Sequence, residues 1–352
     1  VNFPRICFIL DHDLKPYRQA FFEQMSQRCE KLVIIHSGRN LDSLSQVIQI
    51  SLPKRRLLAF EYRVLPDLKQ FDVVVHMQNL RFINLWQLTL NPWRKFKLVH
   101  WGIGASSAGG LHISKNLVSR TRDFIARYAD AQVLYSSFAL PLFSNTVIQK
   151  TFIAHNTVES RLSQDLSVFK KNSILFIGTL NPRKGIEVLL DGFSDYLKSA
   201  PVNLKKLVII GDGPMRTVLE KKVQILRMES FVEFKGSIIS EHDKLDFYKS
   251  AAVSVSPYQA GLSVLECFSY GVPFITFENC ISGGEHLNID SGETGYLIRS
   301  REELVIRLLE MDRNPDLGKR LGKNAYDHYV SKRRMEHMVA SFLETFNFVL
   351  RR

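Results

Sequence analysis

No stretch of this 352-residue chain is apolar for long enough to span a membrane. Its opening residues lack the basic segment, long apolar run and small-residue cleavage site of a secretory leader. Neither a membrane-spanning anchor nor a cleaved leader is therefore expected. Cysteine is scarce: Cys7, Cys29, Cys267 and Cys280 have no metal-ligand spacing, and three of them lie in or beside apolar stretches. That argues against a disulfide framework and for a reduced, cytoplasmic setting. Short-period repeats and low-complexity tracts are missing, which excludes solenoids and disordered tails as the main architecture. Carboxylates do not cluster, so no bound metal and no cofactor are expected.

What is present is a globular composition, 45% hydrophobic and 23% charged. The length exceeds what one ordinary core organises, and two domains are the expectation. The net charge of +12 is uneven: residues 1–155 carry 20 Lys+Arg against 10 Asp+Glu, and residues 156–352 carry 27 against 25. A basic first half implies an anionic partner, such as nucleic acid, an anionic membrane surface or a diphosphate-linked lipid. The basic residues are spread over several loops with no nucleic-acid motif, which leaves nucleic acid the weakest of the three.

Short β-rich runs alternate with helical ones. The first half predicts strands over Arg5–Leu10, Lys31–His36, Asp72–His76, Lys97–His100 and Ala131–Tyr135, with helices over Arg18–Cys29 and Leu117–Ala129. Between Leu52 and Arg63 basic and apolar residues mix, which reads as a loop or an exposed helix. A second series starts at Ser173–Gly178 and continues through Gly185–Ser199, Lys206–Ile210, Met215–Arg227, Val232–Phe234, His242–Ser250, Ala252–Ser256, Ser263–Tyr270 and Pro273–Thr276. Such alternation predicts parallel sheets covered on both faces. The polar stretch Ser160–Lys171 reads as the linker. Met338, Val339, Phe342, Leu343, Phe346, Val349 and Leu350 give the last helix one apolar face.

In open α/β sheets ligands gather beyond the carboxyl ends of the strands, so the βα loops carry the candidates. Ser256–Glu266 reads as a strand end, a glycine turn and a helix start. Gly261 lets backbone approach a ligand, and the amides of Gly261, Leu262 and Ser263 suit an anion. Glu266 stands where it could accept two ribose hydroxyls; the alternative is a surface helix carboxylate. In Gly178-Thr179-Leu180-Asn181-Pro182-Arg183-Lys184-Gly185, Arg183 and Lys184 sit at a helix start, where the dipole disfavours cations. Their presence there suits a diphosphate leaving group, a solvated pair being the alternative. Gly213 in Gly211-Asp212-Gly213-Pro214 and Gly236 in Phe234-Lys235-Gly236 read as backbone approaches or as plain turns. His100, followed by Trp101-Gly102-Ile103-Gly104, reads as an acceptor-side residue or as a partly buried, hydrogen-bonded histidine.

Taken together, Gly178–Gly185, Gly211–Pro214, Val232–Gly236, Gly261–Glu266 and Gly271-Val272-Pro273 resemble the glycosyltransferases of family 4. The resemblance implies the GT-B fold, an α/β architecture of two Rossmann-like doubly wound domains: 1–155 for the acceptor, 156–335 for the nucleotide sugar, and 336–352 as a C-terminal helix packing back toward the first domain. It implies a retaining transferase, with Lys184 on the donor diphosphate and Glu266 on its ribose. The family pattern has Glu where this chain has Tyr258, eight residues before Glu266, with Gln259 beside it, and often Arg where this chain has Thr179. In the first half, Pro16-Tyr17-Arg18 resembles the family's acceptor-side loop and His155-Asn156-Thr157 its passage into the second domain.

The reading is therefore transfer of a hexose-type sugar from a nucleotide-diphosphate sugar to a saccharide hydroxyl, with a lipid-linked acceptor and surface polysaccharide or glycan synthesis as the expected setting. Lys54–Leu58 and Trp93–Lys97 mix cations with apolar residues and suggest peripheral contact with the inner, anionic membrane face. A nucleotide-sugar epimerase of the same fold and a non-catalytic nucleotide-sugar-binding protein are the alternatives.

Overall fold

The computed structural model describes residues 3–105 and 114–351. These divide into two compact units, one of 3–105, 114–157 and 335–351, the other of 158–334.

The first unit contains strands β1 (Arg5–Asp13), β2 (Lys31–Ser37), β3 (Ile48–Ser51), β4 (Arg55–Leu57), β5 (Phe60–Tyr62), β6 (Val73–Met77), β7 (Lys97–Gly102), β8 (Ala131–Leu134) and β9 (Thr151–Ile153). Its helices are α1 (Gln19–Ser26), α2 (Ile83–Thr89), α3 (Leu117–Ala126) and α4 (Asn145–Ile148). Seven strands form a parallel sheet in the order β3-β2-β1-β6-β7-β8-β9. Side chains alternate between the faces of β1: Ile6, Phe8 and Leu10 join one core cluster, Cys7 and Ile9 the other. Burial on both faces is why β1 and β6 are near-continuous apolar runs.

The second unit has β10 (Ser173–Ile177), β11 (Lys206–Ile210), β12 (Val232–Gly236), β13 (Ala251–Val255), β14 (Phe274–Phe277) and β15 (Gly295–Ile298). Its helices are α5 (Ile186–Lys198), α6 (Arg216–Ile225), α7 (Glu241–Ser250), α8 (Ser263–Phe268), α9 (Arg301–Arg313) and α10 (Pro315–Lys332). The sheet is six-stranded and parallel, ordered β12-β11-β10-β13-β14-β15. Ile174 and Phe176 of β10 pack under α5, α6 and α9, whereas Leu175 and Ile177 pack on the side of α8 and α10. The chain winds outward from β10 in both directions, so β10 and β13 flank the topological switch point, where such sheets bind ligands.

After α10 the chain returns to the first unit as α11 (Met335–Leu350). Phe342 lies 5.0 Å from Phe21 and 5.2 Å from Trp101, ring centroid to ring centroid. Met338, Val339, Phe346 and Val349 are buried beside it, Leu343 partly so, and Leu350 is exposed.

Two sequence expectations are corrected. The stretch between Leu52 and Arg63 is neither a loop throughout nor an exposed helix: β4 and β5 pair as an antiparallel hairpin, Leu57 opposite Phe60, with Leu58 at φ 54° in the two-residue turn. Positive φ at the first turn position matches the twist of a tight hairpin, which overrides leucine's preference. The stretch Ser160–Lys171 is not a free linker. It belongs to the second unit, where Leu166 is buried and the amides of Gln164 and Leu166 donate to the carbonyls of Ser269 and Tyr270. Strands β3 and β9 and helices α2, α9 and α10 fall where no element was expected.

Phe342→Ala should lower the stability of the first unit by about 3–5 kcal/mol, the usual cost of emptying an aromatic core site. It should show as a lower urea midpoint, while Leu350→Ala leaves the midpoint nearly unchanged.

Candidate active site

All six strands of the second sheet are parallel, so their carboxyl ends meet one edge and the loops after β10, β13 and β14 lie along it. After β10, Asn181 accepts the Arg183 amide through its side chain at 3.0 Å and opens a short 3-10 turn, Pro182–Lys184. Gly185, at φ 66°, passes the chain into α5. The turn leaves Arg183 exposed and turns Lys184 inward.

Lys184 is buried, and its Nζ donates to the main-chain carbonyl of Gln259 at 3.1 Å. Burial pushes its ammonium down to about 8; Glu285 opposes that shift and Arg183 adds to it. A Cβ on Gly178 would lie 3.5 Å from that Nζ, so the ammonium sits against the first glycine of its own loop. Thr179, next to it, is exposed.

Tyr258 explains its departure from the family pattern. Its amide donates to the Lys184 carbonyl at 3.3 Å, and its ring covers Gly185 so closely that a Cβ there would meet Cδ2 at 2.5 Å. The ring also lies 5.5 Å from Phe277. Tyr258 therefore clamps the β10 loop to the β13 loop. The Tyr258 carbonyl in turn accepts the Ile281 amide at 2.7 Å, tying in the loop after β14.

Glu266 is not a loose helix carboxylate. Its Oε1 forms an ion pair with Lys244 Nζ and accepts the Tyr248 hydroxyl at 2.8 Å. Tyr248 is stacked on Tyr270 at 4.3 Å, and burial, with Glu266 beside it, holds its phenol well above the usual range, so it remains a donor. A carboxylate has about four acceptor positions, and these two bonds orient the remainder. Helix α8, which carries Glu266, ends at Phe268, two residues before the expected Tyr270.

The glycines divide into two kinds. A Cβ on Gly211 would strike the Gly178 carbonyl oxygen at 1.9 Å, and one on Gly213 the Leu180 carbonyl oxygen at 2.5 Å. Those two are demanded by loop packing, which fits the reading of Gly211–Pro214 as a plain turn. Gly236 and Gly261 face open space. Gly236 has φ 71° and needs glycine for its backbone; Gly261 has no such requirement. Beside Gly261, Leu262 and Ser263 are half-buried, and the Ser263 hydroxyl oxygen has no hydrogen-bond partner among the described residues.

His100 is a correction. It lies wholly buried within β7, its Nε2 paired with the Thr89 hydroxyl at 2.8 Å, and burial pushes its imidazole down to about 3. It is a neutral core histidine: burial, with His76, Lys150 and Arg94 nearby, disfavours its charged form. Arg18 is likewise enclosed, stacked over Trp101 at 4.7 Å and donating to the Tyr135 hydroxyl at 2.7 Å.

Lys244 and Tyr248 were missed, and Glu285 was noted only as part of the loop Gly283-Gly284-Glu285, without a role. Lys244 and Tyr248 lie on α7, far from Glu266 in sequence, and no local pattern couples them. Glu285 had only a glycine pair, Gly283-Gly284, as its signal; it is buried and accepts from the Ser282 hydroxyl and the Gly283 amide.

Gly185→Ala should cost about 1–3 kcal/mol through left-handed backbone strain, with further displacement of the Tyr258 ring. Differential scanning fluorimetry should show a lowered melting temperature and, with it, weaker nucleotide binding.

Residues 171–314 match the model of the family described as glycosyl transferases group 1. Among curated relatives, the alpha-monoglucosyldiacylglycerol synthase of Acholeplasma laidlawii is 25% identical over 154 residues, 43% of this chain and 37% of that protein. The N-acetyl-alpha-D-glucosaminyl L-malate synthase of Bacillus anthracis is 21% identical over 259 residues, 72% of this chain and 63% of that protein. The matched region thus spans less than two thirds of either relative. Anabaena HepE, solved in complex with UDP, superposes with a TM-score of 0.72 at 14% identity, covering 97% of this chain and 99% of that one. The switch-point loops, the two doubly wound sheets and the likeness to HepE give the chain a GT-B fold, and within it residues 171–314, less than half of the chain, are similar to the glycosyl transferases group 1.

Proposed function

We propose that the chain is a retaining, family 4-type glycosyltransferase. It moves a hexose-type sugar from a nucleotide-diphosphate donor, bound at the β10–β13 edge, to a hydroxyl of a lipid-linked saccharide in surface glycan synthesis. The observation that carries this reading is Lys184: a buried ammonium whose hydrogen bond goes to a main-chain carbonyl rather than to a carboxylate. Glu285 favours the charged form without forming an ion pair with Lys184 among the described residues, and a buried cation so weakly compensated is costly; a diphosphate supplies the missing charge.

When the bond between the sugar's anomeric carbon and the diphosphate oxygen breaks, the electron pair leaves with the diphosphate. Lys184 and exposed Arg183 meet that charge where it develops. Glu266, oriented by Lys244 and Tyr248, accepts the ribose hydroxyls, and the open side of Gly261 admits the donor beside the Leu262 and Ser263 amides. Protein cations take the place of a metal ion. HepE, which shares the fold, was solved with UDP. One relative's name is that of a synthase making a glycosylated diacylglycerol, which supports a lipidic acceptor.

Membrane attachment belongs to the same reading. The β4–β5 hairpin presents Leu58, 93% exposed, between Arg55, Arg56 and Phe60, and Trp93, 85% exposed, precedes Arg94, Lys95 and Lys97. Apolar tips flanked by cations suit an anionic inner leaflet, at about 1 kcal/mol for each basic residue near it. Among the described residues no helix is long and apolar enough to cross a membrane.

Lys184→Ala should cut kcat/KM by about 100- to 1000-fold and abolish the thermal shift produced by UDP, with the fold intact by circular dichroism. Unchanged turnover removes Lys184 from the mechanism, and sugar interconversion with donor alone identifies an epimerase instead. Because the protonated amine is the binding form, kcat/KM should be level below and fall as pH rises through about 8, where burial holds Lys184 in the free protein. Lys184→Arg should move that fall upward. Treatment with EDTA should leave turnover unchanged; loss restored by a divalent ion would show that a metal takes part.

A further inference from the structure

The first unit has its own switch point, between β1 and β6, and a cavity of about 700 Å³ opens at the carboxyl ends of β1, β6 and β7. Its charge is unbalanced. Arg122 of α3 lines it half-buried, and among the described residues its guanidinium has no hydrogen bond or ion pair. The adjacent carboxylate, Asp123, is committed elsewhere, to Arg127 and to the amide and hydroxyl of Ser144. Burial pulls Arg122 downward with no acid opposing it. The stretch 106–113, which precedes α3 in sequence, contains neither Asp nor Glu.

A second cation stands at the same cavity. Arg81 is exposed, and its backbone is held at both ends: its amide donates to Asn79 Oδ1 at 3.1 Å and its carbonyl accepts the Glu61 amide at 2.8 Å. Against these stands one lining carboxylate, Asp11, whose Oδ2 accepts Asn79 Nδ2 at 2.8 Å and whose Oδ1 has no hydrogen-bond partner among the described residues. Trp101 and Tyr135 border the cavity, and the Arg18 guanidinium lies over both rings. Trp101 is 1% exposed, and its Nε1–H has no acceptor among the described residues. Two cations set against a single carboxylate in a cavity of this size describe a site for a saccharide bearing a negative charge.

We infer that this cavity binds an anionic saccharide, a sugar carrying a phosphate or a carboxylate, with Arg122 and Arg81 on the charge. Naming that saccharide as the acceptor rests on the glycosyl-transfer reading; the binding itself does not. A phosphate would come from a lipid-linked sugar phosphate and a carboxylate from a uronic acid.

Isothermal titration of the full chain with glucose 1-phosphate, methyl glucuronide and methyl glucoside tests it. At least one anionic probe should bind about tenfold or more tightly than the neutral one, and the tighter of the two identifies the source of the charge. Arg122→Gln should abolish the preference without shifting the melting temperature, Arg122→Lys should keep part of it, and Arg81→Gln should weaken the anionic probe several-fold. Lys184→Ala should leave the preference intact. Equal binding of charged and neutral probes, a preference that survives Arg122→Gln, or one lost in Lys184→Ala would each overturn the inference. Failure of the donor reading would appear separately, as absent UDP binding with the anionic preference retained.

Discussion

Burying a parallel sheet on both faces puts every strand end of one sense on one edge, and the chemistry of both units depends on that. Helices cover the faces, so the edge is where polar side chains and open backbone collect. In the second unit the edge at β10 and β13 receives Lys184 from one loop and the Gln259 carbonyl from the next. In the first unit the edge at β1, β6 and β7 receives Asp11, Arg81 and Trp101. Neither set is contiguous in sequence.

The loops themselves are held by backbone contacts that only glycine allows. Gly211 and Gly213 press against the Gly178 carbonyl and the Leu180 backbone, and Gly185 lies under the Tyr258 ring. The β10 loop is thus packed from two sides before any ligand arrives, and Lys184 is carried inward by a turn with little room to reorganise. Preorganised charge of this kind is worth more than the same charge on a mobile surface, because nothing has to be rearranged at the moment of reaction. In the first unit the equivalent rigidity comes from aromatic packing: α11 seals the core with Phe342 against Phe21 and Trp101, and Trp101 is a wall of the cavity.

Much of the second unit was legible. The strand over Lys206–Ile210 was read to its observed limits, and β10, β12, β13 and β14 to within two residues, because fully buried strands are short apolar runs bounded by turns. The C-terminal helix was visible from its apolar stripe. The hairpin at Arg55–Tyr62 was not, since its turn residues Leu58-Ala59 carry no glycine, asparagine or aspartate signal. Helices α9 and α10 were passed over; both are rich in charged residues that mask the apolar positions. His100 looked like a strand-end residue because the run Lys97–His100 ends there by hydropathy, yet β7 continues through Trp101 and Gly102 and encloses it.

The residues alone determined the two βα series, the glycine-bounded loops and the cation pair Arg183-Lys184, since each is a local pattern of side-chain size, polarity and backbone freedom. Tertiary structure decided which members of those patterns face a ligand. Lys184 is buried and Arg183 exposed because of one 3-10 turn that ends at a left-handed glycine; Glu266 is held by Lys244 and Tyr248 from another helix; among the described residues Arg122 has no acid partner, Asp123 being turned to Ser144 and Arg127. Burial and charge compensation are properties of surroundings assembled from distant segments, and the packing that brings those segments together assigns them.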